Sequence, residues 1–187
     1  AMMRAQPDRG PDPRILIVAI TEADLRALQR STPSDQTLAE VLNTLNSYNP
    51  RVIGVDLYRD VPQDPGHDAL LQELETTNTI AITKLGDEVT EEILPPSTVP
   101  SDRIGFNDLL IDPDGVVRRS LLFAQTSDGE VYRSFALRIA TTYLAEEGIT
   151  MQASPLDPSY VQLNRATFIP LESNDGGYAT IDSGGYQ

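Results

Sequence analysis

Chemistry in this chain would have to come from its carboxylates. Asp56 closes the apolar stretch Arg51-Val52-Ile53-Gly54-Val55-Asp56-Leu57-Tyr58. A run that is apolar on both faces reads as a strand buried from both sides, which puts Asp56 near its carboxyl end. In open α/β sheets that edge is where loops diverge and ligands gather. Glu22 and Asp24 follow an earlier apolar run, residues 15–20, at the same kind of position. Two strand-end acids on adjacent parallel strands could hold Mg²⁺ or accept hydrogen bonds from a ligand. The plainer alternative is that Asp56 caps a loop or pairs with Arg59. Tyr58 adds an apolar ring with one polar handle. Asp56 and Arg59 together suit a small polar or zwitterionic molecule. Arg118 and Arg119 alternate faces if they lie in a strand, so one of them points inward. That arginine would reach the same cleft, bind an anionic group, or pair internally with Asp56. An internal pair is the preferred reading, because a buried arginine needs a partner.

Other chemistries find little support. A receiver-type phosphoacceptor would need an acidic pair after the first strand and an aspartate after the third. Here one acid follows the first run, and Asp56 closes the second. Asp56-Leu57-Tyr58 also lacks the second aspartate of a phosphatase pair. The single histidine, His67, is expected as an exposed residue of a helix's first turn. One histidine and no cysteine leave no thiolate or multi-histidine metal site and no thiol nucleophile. The serines form no nucleophile elbow, and the glycines have no phosphate-binding spacing.

The 187 residues suit one domain with a real core. Their 28 acidic and 14 basic residues give a net charge of −14. Nucleic acid needs a basic footprint and is not expected as a partner. An anionic membrane surface is disfavoured on the same ground. No run approaches the roughly 20 apolar residues of a membrane span. Ala1-Met2 reads as a cloning remnant, so the chain is expected to be a piece of a longer protein.

The elements that must position these residues follow from periodicity. Residues 1–13, with three prolines and a glycine, read as an arm or linker. Residues 15–20 read as a first strand. Thr21 and Asp24 form a capping-box signal for a short helix to residue 30, burying Leu25 and Leu28. Thr32 as cap and Pro33 as first residue would open a helix reaching residue 48, with Leu38, Val41, Leu42, Leu45 and Tyr48 on its apolar face. Residues 52–57 form the second strand, 67–76 a helix and 79–83 a third strand. Residues 86–101 read as irregular and 104–106 as a short strand. Asp112-Pro113-Asp114-Gly115 is a turn signal, with residues 116–123 following as a strand paired to the region before it. A helix starts at Ser134 and stops at Gly148. Short strands are expected at 160–163, 167–171 and 178–181. Gly54 marks a close approach to the second strand.

Several stretches taken together resemble a known family. They are Arg14-Ile15-Leu16-Ile17-Val18-Ala19-Ile20, Arg51-Val52-Ile53-Gly54-Val55-Asp56-Leu57, Gly105-Phe106-Asn107, Asp112-Pro113-Asp114-Gly115-Val116-Val117-Arg118-Arg119 and Ser134-Phe135-Ala136-Leu137. Their order resembles the second class of CHASE domain, the extracellular sensor of cyclases and histidine kinases, over residues 14–187. The family often carries an aspartate just after its first strand. Thr21 stands there in this chain, so Glu22 would have to take that role. The chain's end resembles the approach to a last family strand that is cut away here.

The expected fold is α/β: a three-layer sandwich with a mixed, centrally parallel sheet and an antiparallel hairpin. The strands at 15–20 and 52–57 should be adjacent and parallel, with the helix at 34–48 crossing between them. The resemblance implies an extracytoplasmic sensor of a membrane-anchored parent, one domain over 14–187, binding a small molecule and not catalysing a reaction. A homodimer is an open alternative. The expected site is Glu22, Asp56, Tyr58 and Arg59, with Arg118 or Arg119 reaching it, and neither a catalytic group, a metal nor a cofactor is expected. The competing readings are a metal-dependent hydrolase or phosphatase-like enzyme using Asp56 and Glu22, and a structural dimerisation module.

Overall fold

The computed structural model describes residues 7, 10–86, 90–112, 114–126, 129–172 and 175. The chain divides into two compact units, Ala1–Pro33 and Ser34–Gln187. The expected strand at 178–181 lies outside the described residues.

Among the described residues of the first unit, Glu22–Leu28 form a helix, α1. Thr21 caps it through the expected box: its hydroxyl accepts from the Asp24 amide, and the Asp24 carboxylate accepts from the Thr21 amide. Gln29 ends the helix in the left-handed region at φ 54°. Leu25 is half-buried and Leu28 exposed, so the expected burial of these two is corrected. Residues 15–20 form no strand, which corrects the first expected strand. Ile15, Leu16 and Ile17 are 68%, 80% and 82% exposed. Apolar composition makes a segment fit for a sheet, but a strand exists only where a partner's backbone completes its hydrogen bonds.

In the second unit, α2 (Asp35–Asn46) begins at Ser34, whose hydroxyl accepts from the Thr37 amide. Ser34, not Thr32, is therefore the cap. Helix α2 buries Leu38, Ala39 and Leu42, while Tyr48 lies beyond its end and is exposed. Strands β1 (Ile53–Val55), β2 (Thr79–Thr83) and β3 (Ile104–Phe106) form a parallel sheet in that order. Helix α3 (His67–Leu74) joins β1 to β2, so the βαβ unit is β1–α3–β2 rather than the expected one from 15–20 to 52–57.

Register sorts the faces. Ile53 pairs with Thr79, Val55 with Ala81, and Ala81 with Ile104. Of these, Ile53, Val55, Ala81 and Ile104 pack with Leu38, Leu42, Leu70 and Leu74 of α2 and α3. Gly54 and Gly105 face the other way, toward α4 (Phe135–Ala145). A Cβ on Gly54 would meet Ile139 Cδ1 at 2.5 Å and Phe135 Cζ at 2.8 Å, the close approach its sequence position announced. The unit is thus a helix–sheet–helix sandwich of α/β class.

Smaller antiparallel sheets complete it. The hairpin pairs β4 (Phe123–Gln125) with β5 (Val131–Arg133). The expected strand at 116–123 is thereby corrected to one that starts at Phe123 and pairs forward. Asp112 draws in both arginines of that segment, which holds the chain in a tight loop instead of a ladder. A further sheet runs β6 (Met151–Ala153), β7 (Val161–Leu163), β8 (Ala166–Phe168).

Arg103 fastens the end of α3 to the start of β2. Its Nη1 donates to the carbonyls of Leu74 at 2.8 Å, Thr76 at 2.6 Å and Thr79 at 3.2 Å, and Nη2 donates to Glu75 at 3.2 Å. Hydrogen bonds from a charged donor contribute about 1.5–3 kcal/mol. Arg103→Ala is expected to lose about that much in urea unfolding. Arg103→Lys should recover little of it, because an ammonium cannot fan across several carbonyls.

Candidate functional site

The carboxyl ends of β1 and β3 lie one strand apart in the sheet, and the residues that follow them meet. The Tyr58 hydroxyl donates to Asn107 Oδ1 at 2.6 Å. Asn107 Nδ2 donates to Asp56 Oδ1 at 2.9 Å. At the end of β2, the Leu85 amide donates to Asp108 Oδ2 at 3.1 Å. Asp56 is exposed, and Tyr58 and Asn107 are half-buried. A relay of phenol, amide and carboxylate therefore spans the strand-end edge, with its carboxylate facing solvent. Such a relay can exchange hydrogen bonds with a small polar molecule without first breaking a buried ion pair.

Burial pushes the Tyr58 phenol above its usual range, and the charges of Asp108 and Asp56 push the same way against the hydrogen bond to Asn107. The folded state thus holds this proton more tightly than the unfolded chain. The stability so contributed is complete below the ordinary tyrosine value of 10.0 and is lost as pH rises through the folded value. Ultraviolet titration should show one tyrosine ionising late, and Asp108→Asn should bring it back toward the others. A Tyr58 signal that does not move in that variant would refute the field assigned to Asp108.

Of the expected site residues, Asp56 and Tyr58 stand together through Asn107. Arg59 leaves the site, which corrects the expected pair with Asp56. Its guanidinium is buried with Asp35, Nε lying 3.2 Å from Oδ1, and Nη1 donates to the Tyr58 carbonyl at 2.9 Å. Burial holds Arg59 below the usual arginine range, with Asp35 opposing. Asp35 Oδ2 also meets His67 Nδ1 at 2.9 Å and the Gln63 amide at 3.0 Å. His67 does open a helix, but with its imidazole on this buried carboxylate. The loop after Tyr58 is therefore clamped onto the start of α2, through the Asp35 amide to Gln63 O at 2.8 Å and the Gln36 amide to Pro65 O at 2.7 Å. A carboxylate at a helix start also suits the helix dipole.

Arg119 is the inward arginine of its pair, as alternation required, but its partner is Asp112 at 3.0 Å and not Asp56. Arg118 bonds Asp112 at 2.9 Å and Asp114 at 2.6 Å. Its guanidinium holds the Asp114 carboxyl at about 2. The structure thus accounts for both arginines as braces of the loop before β4. Glu22 lies on α1 in the N-terminal unit. Among the described residues no group of three or more His, Cys, Asp or Glu is placed to hold a metal ion.

Asn107 and Asp108 were missed as site residues. Their signal was position: they follow the short strand 104–106, and strand ends on one edge of a parallel sheet converge.

Comparison with known proteins gives one family match. The model described as the CHASE2 domain matches residues 1–184. No curated protein and no solved structure matches the chain.

Proposed function

We propose, because the chain belongs to the CHASE2 domain family, that it is the ligand-sensing domain of a transmembrane receptor whose output is a histidine kinase, a cyclase or a Ser/Thr kinase. CHASE2 domains are extracytoplasmic sensory domains of membrane signalling proteins. No helix among the described residues is long and apolar enough to cross a membrane, so the proposed anchor lies elsewhere in the parent. The ligand of this reading is a small polar molecule held at the carboxyl ends of β1 and β3 by Asp56, Tyr58, Asn107 and Asp108. The observation that supports it is the Asp56–Asn107–Tyr58 relay, built on a strand-end edge with its carboxylate exposed and its phenol and amide half-buried. With Arg59 and Arg119 buried against aspartates, the zwitterion-binding role first given to Arg59 passes out of the reading.

A ligand that binds only the folded state must raise its melting temperature. Thermal-shift screening of small polar metabolites should therefore find a hit whose effect disappears in Asp56→Ala. Asp56 is exposed and has no arginine partner among the described residues, so the stability of the ligand-free protein should stay within about 0.5 kcal/mol of wild type. A large drop in the free protein, or a hit that survives Asp56→Ala and Asn107→Ala, would remove the site from this edge.

A further inference from the structure

We propose that the ligand held at the strand-end edge is a zwitterion of the amino-acid type, with its carboxylate on the Lys84 ammonium and its own ammonium group on Asp56. The inference rests on the sensing reading above and adds Lys84 to its site. Lys84 directly follows β2, the strand between β1 and β3. Two hydrogen bonds fix its neighbours among the site residues. The Asn107 amide donates to the Thr83 carbonyl at 3.3 Å, and the Leu85 amide donates to Asp108 Oδ2 at 3.1 Å. Ile82 pairs with Gly105, so Lys84 stands opposite Asn107. Gly54 pairs with Ile80, so Asp56 stands opposite Ile82. Alternation puts Asp56, Lys84 and Asn107 on the face that Gly54 and Gly105 share. The bond from Asn107 Nδ2 to Asp56 Oδ1, 2.9 Å long, joins side chains from strands two apart, whose backbones lie roughly 10 Å from each other. It therefore crosses the end of β2, where Lys84 leaves the strand on the same face.

Lys84 is half-buried, and among the described residues its ammonium makes no hydrogen bond and no ion pair, although Asp56 and Asp108 share the edge. By contrast, Arg59, Arg118 and Arg119 each rest on aspartates. Asp56 Oδ1 accepts from Asn107, and Oδ2 has no partner among the described residues. An ammonium and a carboxylate that share an edge without meeting leave a positive and a negative end open to one molecule. A cation would satisfy Asp56 and leave Lys84 unpaired, and an anion would do the reverse. An amino acid carries both charges a few bonds apart and meets both ends. It is also neutral overall, so the net charge of −14 does not repel it as it would an anion. A lysine head on its flexible stem can follow a carboxylate that arrives from solvent.

The test is thermal shift of the purified domain with the standard L-amino acids, added singly at millimolar concentration. At least one should raise the melting temperature saturably. On the unaltered chain, its C-terminal amide and its N-acetyl derivative should each need roughly tenfold higher concentration or more, because each removes one charge-assisted contact. Lys84→Gln should melt as wild type does without ligand, since the ammonium bonds nothing there. That variant should weaken the response to the amino acid by a similar factor and leave the response to the amide unchanged. No stabilising amino acid, an amide that binds as well as the acid, or an equal response in Lys84→Gln would each overturn the inference. A sugar or polyol whose effect disappears in Asp56→Ala and persists in Lys84→Gln would overturn it too, while leaving the strand-end site standing. An amino acid whose effect survives both Asp56→Ala and Asn107→Ala would remove the site itself.

Discussion

Gly105→Ala is expected to unfold the Ser34–Gln187 unit far more readily than any other single-methyl addition to its sheet. A Cβ there would meet Phe135 Cα at 2.5 Å, Phe135 N at 2.8 Å and Ser134 C at 3.1 Å. These are backbone atoms at the cap of α4, so no side-chain rotation can relieve them. Either α4 lifts from β3 or the parallel bridge between Phe106 and Ser134 breaks. Overpacking usually costs about 1–3 kcal/mol, and contact with fixed backbone places this variant at about 3 kcal/mol or more. For a domain of this size that is roughly 6–12 °C in melting temperature. Gly54→Ala is the internal control, because the atoms nearest its new methyl are side-chain atoms, Cδ1 and Cγ1 of Ile139 and Cζ of Phe135. Those can turn aside, and the cost should be about 1 kcal/mol. Equal melting temperatures for the two variants would show that α4 is not seated on β3 as described.

Asp35→Ala should be nearly as damaging, for an electrostatic reason. Asp35 is 0% exposed and Arg59 7%. Removing the carboxylate breaks the buried ion pair in which Arg59 Nε lies 3.2 Å from Asp35 Oδ1, and breaking a buried pair typically costs about 3–5 kcal/mol. The His67 imidazole and the Gln63 amide lose their acceptor as well. Chemical unfolding measures the loss. Asp35→Ala combined with Arg59→Met should recover a substantial part, since both members of the buried pair are then replaced. If the double variant is as unstable as the sum of the two singles, the pair is not coupled as assigned.

The parallel core was legible because its strands are short apolar runs bounded by turn residues. Residues 79–83 and 104–106 were read with the boundaries the structure shows. Gly54 was legible too, since a glycine inside such a run has few explanations besides close approach. Residues 15–20 carry the same apolar signal and yet form no strand, because hydrophobicity measures fitness for a sheet and does not identify a partner. The charged residues failed for a related reason. Asp56 and Arg59 stand three apart, which invites a local pair. The chain turns after Tyr58, however, and sends Arg59 to Asp35, the first residue of α2. Alternation correctly predicted that one of Arg118 and Arg119 turns inward, but it could not choose among distant acids. Asn107 was visible as a residue and invisible as a site, since its role depends on β1 and β3 flanking β2.

We propose that sensing takes place at the carboxyl edge of the parallel sheet. Backbone-amide NMR of the isotope-labelled domain, recorded with pools of small polar metabolites, tests it most directly. The account predicts that a binding pool shifts the amides of Asp56, Leu57 and Tyr58, of Lys84 and Leu85, and of Asn107 and Asp108 together, and that Asp56→Ala removes those shifts while preserving the rest of the spectrum. Shifts from the same pools that cluster elsewhere and persist in Asp56→Ala would contradict it.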